Sequence, residues 1–412
     1  MTEYSKLELL KEFENVKIVG PKTIEVHNEQ KVIEEALSSP INFPDLASFL
    51  GKVRKLLLII NDFTRPTPTQ KVLNVLINYI EEETTNFNII IASGAHRTPT
   101  EDELQRILGK YYSSLRERVK FHDSKESNSL IYIGISSFGT PIYINKTIYE
   151  YDGMIVIGSS EPHYFAGYTG GRKAFIPGVA GHETITLNHK FALDERSETF
   201  ALEGNPVHED MIDIVKKLNI CERVFSIQTV VDSEGRICYA TAGHIFDSFN
   251  EITKHAKKVY SVEIPHKVDI VVALAENPMD VNLYQSHKAL ENVKLALNDD
   301  GIIILVSRCH GGIGPDGFYK LLKECKTPEE AIEKIKGDFK FGYHKAIKLA
   351  SILSKFNVRV VSELPESALT EVFMEPWSSL EEALKDAVKH KGKDAKILVV
   401  RHAGVTVPVL SE

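Results

Sequence analysis

Three short apolar runs constrain this chain more than any other feature. Residues 55–60 (KLLLII), 88–92 (NIIIA) and 153–158 (GMIVIG) are nearly unbroken in Ile, Val and Leu rather than alternating with polar residues. Runs of this length suit strands covered on both faces, as in a parallel sheet between helix layers. Helical patterns fill the gaps. Residues 69–83 place Val72, Leu73, Val75, Leu76, Tyr79 and Ile80 on one face, and 100–108 opens with the acids that favour a helix N-terminus. A second series starts near Val268, with strands at 268–274, 301–306, 358–361 and 396–400. Its helices fall at 284–297, 328–336, 341–355 and 379–390. Such alternation specifies an α/β fold. The expectation is two α/β lobes with mainly parallel sheets, residues 1–265 and 266–412, with an interdomain active-site cleft. The join is placed at 263–267, where Ile264-Pro265-His266 ends a helix.

Composition narrows the function. The 412 residues are 43% apolar and 26% charged, which excludes disorder and a disulfide scaffold as descriptions of the whole chain. Lys and Arg number 49 against 57 Asp and Glu, a net charge of −8. Binding nucleic acid needs clustered cations, so nucleic acid is not an expected partner. An anionic substrate must be held by local cations. Cys221, Cys238, Cys309 and Cys325 form no CxxC pair and read as reduced, mostly buried thiols of a cytoplasmic protein. Residues 1–4 are polar and carry an early acid, and no apolar run approaches about 18 residues. Neither a signal peptide nor a membrane partner is expected.

The polar residues that follow the first three strands carry the chemistry. Ligands bind beyond the carboxyl ends of parallel strands. The first run delivers Asp62-Phe63-Thr64-Arg65-Pro66, the second Gly94-Ala95-His96-Arg97, the third His163 and then Gly167-Tyr168-Thr169-Gly170-Gly171-Arg172-Lys173. Each piece has a plain structural reading. Asp62 and Thr64 can cap the next helix. Thr98-Pro99-Thr100-Glu101 looks like a capping box with Pro at its first position. Gly170 and Gly171 read first as a turn before a helix, because the spacing is not that of a P-loop. Two histidines at strand ends beside Arg65 and Lys173 tip the balance toward a site. His182 and His189 are seven apart, about two helical turns, and fit no zinc motif. In the second lobe Gln285 and Lys288 share a helix face and can grip a carboxylate, although a solvated surface explains the spacing equally well. Cys309-His310-Gly311-Gly312-Ile313-Gly314 lacks the full dinucleotide pattern and reads as a structural turn.

Taken in order, these segments resemble the nickel-dependent lactate racemase family, and the resemblance runs over nearly the whole chain. It implies a 2-hydroxyacid racemase or epimerase that inverts C2 by reversible hydride transfer to a nickel pincer nucleotide. That cofactor is Ni(II) with a dithio-modified nicotinic acid mononucleotide. It further implies a covalent link at Lys173, nickel ligation by His189, and acid/base roles for His96 and His163. Asp62, Thr64, Gly170 and Gly171 are implied around the cofactor. Arg65, Tyr284, Gln285 and Lys288 are implied around a small 2-hydroxycarboxylate, with Phe341 or Tyr343 as an aromatic cover. Separate cofactor-synthesis enzymes are implied as maturation partners; the oligomeric state is not legible. Within the class, the substrate can instead be malate, a longer aliphatic acid or an aldonic acid. Outside it, the alternative is a divalent-metal hydrolase using His96, His163 and His182.

Overall fold

The computed structural model describes residues 9–13, 15–26, 28–83, 86–277, 279–337 and 339–411. The polar opening at residues 1–4, and Pro278, lie outside them. The chain divides into two compact units. The first is Thr23–Val259. The second joins the described part of the first 22 residues to the chain from Tyr260 onward. Both are α/β with mainly parallel sheets.

The first unit is built on a six-stranded sheet in the order Ile237–His244, Val224–Val231, Gly153–Ser159, Leu56–Asn61, Phe87–Ala92, Val119–Phe121. Only the Val224/Ile237 pair is antiparallel. The three apolar runs are the central strands, and Leu56 to Ile60 are fully covered, as unbroken runs require. Leu56, Leu58 and Ile60 share a core with Val72, Leu73, Leu76 and Ile80 of the helix Thr69–Glu83. Each such side chain contributes about 1.5–3 kcal/mol by leaving water. Register decides where function goes. Leu56 pairs with both Gly153 and Phe87, and Ile60 with both Ile157 and Ile91. Three strands therefore end level, and Asp62, Ser93 and Ser160 leave the sheet at one edge.

Two local expectations need correction. The capping box sits two residues later than expected: Thr100 caps Glu101–Leu108 and pairs reciprocally with Glu103. Glu103 is held there by a two-pronged contact with Arg97, 2.7 Å on each arm. At 263–267 a strand, Ser261–Ile264, lies between the helix ending at Tyr260 and the turn; it pairs in parallel with Val407–Leu410.

The second unit carries a wholly parallel sheet, ordered Val16–Val19, Ile397–Val400, Val268–Leu274, Leu297–Val306, Asn357–Val361, Glu375–Pro376. Val16–Val19 pairs with Ile397–Val400, so the start of the chain completes the sheet built by its end. Helical periodicity overran at one place: Leu283–Val293 stops early, and Leu297 is already a strand residue beside Val268. All four cysteines are free thiols. No described helix is long and apolar enough to cross a membrane.

Candidate functional site

Asp62 leaves the Leu56 strand into a tight turn. Its Oδ1 accepts the Thr64 N–H at 3.1 Å and the Thr64 hydroxyl at 2.7 Å, a turn that Asp forms readily. The turn aims Oδ2 at His96 Nδ1, 2.7 Å away. The Asp62 carboxylate is therefore engaged by Thr64 and His96 rather than by the start of the next helix. Burial raises the Asp62 carboxyl, but the His96 contact, the charges of His96 and Arg65 and the Thr64 hydroxyl outweigh it and hold the group below the ordinary carboxylate range. Facing a carboxylate, Nδ1 of His96 carries a proton, so in the neutral ring the lone pair is on Nε2. His96 itself is exposed at the end of the turn after Phe87–Ala92. In that turn Gly94 has φ +57° and donates its N–H to Gly178 at 2.9 Å.

The third strand leads into a miniature hairpin, Pro162–His163 against Gly167–Tyr168. His163 is nearly buried, stacked on Tyr164 at 5.1 Å and edge-on to Phe165 at 4.5 Å. The Ala166 N–H donates to its Nδ1 at 3.3 Å. Gly170 and Gly171 follow, at φ +89° and +50°. A Cβ on Gly170 would lie 2.5 Å from Gln228 Oε1, and one on Gly171 2.8 Å from Phe249 Cβ. The Gly171 N–H is bonded to Gln228 Oε1 at 2.9 Å. The glycines thus meet a packing demand, and Gly171–Ala174 is a single 3₁₀ turn rather than a phosphate loop.

Phe165 ties the remaining candidates together. Beside His163, its ring has His189 at 5.1 Å and the Lys173 ammonium at 5.6 Å. His189 is on the helix His182–Lys190, with His182 at its first position. Burial, then the charges of Lys173, His96 and Arg65, push the His189 imidazole down to about 3. It is neutral at physiological pH, the form that binds metal.

Asp62, Arg65, His96, Gly170, Gly171 and Lys173 line one cleft of about 470 Å³, open solvent at its mouth included. Thr64 reaches it through Asp62, and His163 and His189 meet its Lys173 through Phe165. Among the described residues no three His, Cys, Asp or Glu side chains gather as a metal-binding group, so His96, His163 and His182 form no such triad. Tyr284, Gln285 and Lys288 sit on Leu283–Val293 in the second unit. There Tyr284 carries the Lys345 ammonium over its ring at 3.8 Å, and Lys288 Nζ lies 3.6 Å from Met279 Sδ. Phe341 packs against His344 at 5.9 Å.

Sequence reasoning passed over Phe165, Gln228 and Arg172 as site builders. Arg172 is fully buried, with its guanidinium donating to Ala166 O at 2.7 Å and Gly170 O at 3.2 Å over the Phe249 ring. Only an Arg between two glycine turns hinted at it.

His122 holds the segment that follows the cleft residues Pro177 and Gly178. Its Nε2 bonds Ala180 O at 2.9 Å, and Nδ1 meets Asn145 Nδ2 at 3.1 Å. Burial, only partly offset by the Ala180 contact, pushes this imidazole down to about 4. The folded value lies below the unfolded one, so the unfolded chain binds the proton first. Stability is fully present above pH about 6.5 and is lost as pH falls toward about 4, by at most about 3 kcal/mol. Denaturant titrations across that window are expected to show a shallower loss in His122→Gln than in the parent; equal slopes would remove His122 as a cause.

Comparison with known proteins adds a separate line of support. The family model described as the lactate racemase N-terminal domain matches residues 2–200, and the lactate racemase C-terminal domain matches residues 264–409. A protein named lactate racemase from Thermoanaerobacterium thermosaccharolyticum is 33% identical over 393 residues, covering 93% of this chain and 91% of its own. Another of that name, from Lactiplantibacillus plantarum, is 29% identical over 387 residues, covering 90% and 89%. The solved apoprotein of the Thermoanaerobacterium racemase superposes with a TM-score of 0.89 at 31% identity, over 98% of this chain and 96% of that one. A Thermotoga maritima protein shares the fold at TM-score 0.73 and 20% identity, over 94% and 100%.

Proposed function

The chain belongs to the lactate racemase family, and from that premise we propose that it inverts C2 of a small 2-hydroxycarboxylate with the help of a nickel pincer nucleotide. The observation that carries this reading is the meeting of an Asp62–His96 pair, Arg65 and Lys173 on one cleft. The residues suit such a group. Arg65 and Lys173 supply local cations for a nucleotide phosphate and a carboxylate in an acidic chain. Lys173 offers an amine for covalent attachment. His189 is a neutral imidazole among cations, suited to be the one protein ligand of a metal whose other donors are a ring carbon and two sulfurs. When bound, that group supplies the chemistry no side chain here can, taking a hydride from C2 and giving it back.

The chain does the rest. Arg65 binds the substrate carboxylate through charge-assisted hydrogen bonds. His96 takes the hydroxyl proton on Nε2, while Asp62 holds the ring and stabilises the imidazolium. The resulting 2-keto acid turns over before C2 is reduced on its other face, and His163 gives the new hydroxyl its proton. His163 serves the hydroxyl of the opposite enantiomer. Gln285, Lys288 and Tyr284 of the second unit are proposed as further substrate contacts. Lactate is the leading substrate, since both curated relatives carry that name; malate, longer aliphatic acids and aldonic acids are the alternatives.

The test uses the full chain co-expressed with cofactor-synthesis enzymes. Intact mass and nickel are measured first, then loss of optical purity for each enantiomer of these acids. The expected result is one nucleotide added at Lys173, stoichiometric nickel, and racemisation of one acid above the others. A loaded chain that racemises none overturns the activity, and a chain that gains no mass beside active synthesis enzymes overturns the cofactor.

A further inference from the structure

We propose that Asn205 is a positioning residue that keeps the His163 proton on Nε2, the opposite arrangement to His96. At rest the chain then presents one imidazole lone pair and one imidazole N–H. The inference rests on the assignment of His96 and His163 as the proton-transfer pair.

Asn205 is fully buried and caps the helix Pro206–Lys217. Its Oδ1 accepts the backbone N–H groups of Val207 at 3.0 Å and His208 at 3.3 Å, and the Ser197 hydroxyl at 3.3 Å. Backbone N–H groups only donate, so the amide has one orientation. Nδ2 must donate, and it does so to Ala201 O and Phe165 O, both at 3.0 Å. The Phe165 carbonyl and the Ala166 N–H are the two ends of one planar peptide. The Ala166 N–H is the group that donates to His163 Nδ1. Donation into the carbonyl polarises the N–H at the far end and strengthens that bond. A ring nitrogen that accepts a hydrogen bond bears no proton, so neutral His163 carries its proton on Nε2.

The arrangement is held from two further sides. Arg172 binds Ala166 O and Gly170 O, fixing the next peptide against the glycine turn. Tyr164 and Phe165 pack on the imidazole face and edge, so the ring cannot turn without moving the loop. His96 is set the other way by Asp62. A substrate whose hydroxyl meets His96 finds a base at once. One whose hydroxyl meets His163 finds a donor, and the imidazole must first give up the Ala166 bond and carry its proton on Nδ1. Enantiomers have equal free energy, so kcat/KM is the same in both directions. The inequality therefore appears in kcat and KM together, by a common factor.

The first readout needs no cofactor. Histidine is labelled with ¹⁵N in the full chain, and long-range ¹H–¹⁵N correlations report which ring nitrogen is protonated; the His163 signals are identified by their loss in His163→Gln. Two variants keep the helix cap. Asn205→Asp sets an oxygen against the Phe165 carbonyl in place of the donor, and Asn205→Ser is too short to reach it. The parent is expected to show His163 protonated on Nε2, and both variants to shift toward Nδ1 protonation or a mixture. In the loaded enzyme kcat is expected to differ between the two directions, and the ratio to move toward unity in the variants. A residue that only capped the helix would lower the melting temperature and leave tautomer and ratio alone. Parent His163 protonated on Nδ1 overturns the proposal even if neither variant folds, as does an unchanged tautomer in a folded variant. The expected tautomers in a loaded chain that racemises no 2-hydroxy acid overturn instead the proton-transfer assignment beneath it.

Discussion

His96→Gln is expected to lower kcat by about 10²–10⁴-fold, the usual contribution of a positioned acid or base, while the loaded chain keeps its mass and nickel. The imidazole stands at the mouth of a turn and is exposed, so its loss removes little packing. What it removes is the partner of a buried carboxylate. Asp62 still has the Thr64 hydroxyl and N–H on Oδ1, and the glutamine amide is long enough to donate to Oδ2. The melting temperature should therefore move far less than kcat does. Asp62→Asn is the sharper companion. It keeps the shape of the turn but offers a donor where His96 needs an acceptor, so the imidazole takes the wrong tautomer and turns its proton toward the substrate. Comparable losses of kcat in both variants, with KM and nickel little changed, support a pair acting as a unit. A His96→Gln enzyme within a few-fold of the parent would remove His96 from the proton-transfer step.

Much of this was legible because the central strands are covered on both faces. The runs at 55–60, 88–92 and 153–158 announce a parallel sheet, and the sheet alone places Asp62, His96 and His163 near one edge. The Val224–Val231 strand was not legible. Its Ser226, Gln228 and Thr229 are buried; Gln228 accepts from Gly171 and Thr229 donates to Gly158, segments that no periodicity links to this strand. Val16–Val19 was hidden for a related reason: its partner lies at the other end of the chain. Within the site, residue type and strand position were enough for charged groups. They could not find Phe165, whose part is to lie between two imidazoles and an ammonium, nor Asn205, which acts through a peptide bond forty residues away in sequence. The glycine pair reads as a turn from its spacing, and a turn it is, but the reason for two glycines was not legible: Gln228 and Phe249 occupy the space that a Cβ would need.

His189→Ala is expected to leave the nucleotide mass on Lys173 and lose nearly all of the nickel. A cofactor that brings three donors would leave one position for the protein, so one side chain would decide whether the metal is held. His189 is suited to that place by its surroundings. It is buried against Phe165 on a helix whose last turn it shares with Lys190. Desolvation and the nearby charges of Lys173, His96 and Arg65 hold it neutral, so protons do not compete with the metal at physiological pH. Alanine supplies no donor, and His182, seven residues earlier on the same helix, cannot substitute without moving about two turns. Metal analysis and intact mass on one preparation separate the two events. Lys173→Ala should lose the covalent mass, whereas His189→Ala should keep it and lose the metal. Nickel still stoichiometric in His189→Ala would assign the fourth donor elsewhere. Loss of both mass and nickel would mean that the metal is needed for attachment, an order of assembly that the two variants together would resolve.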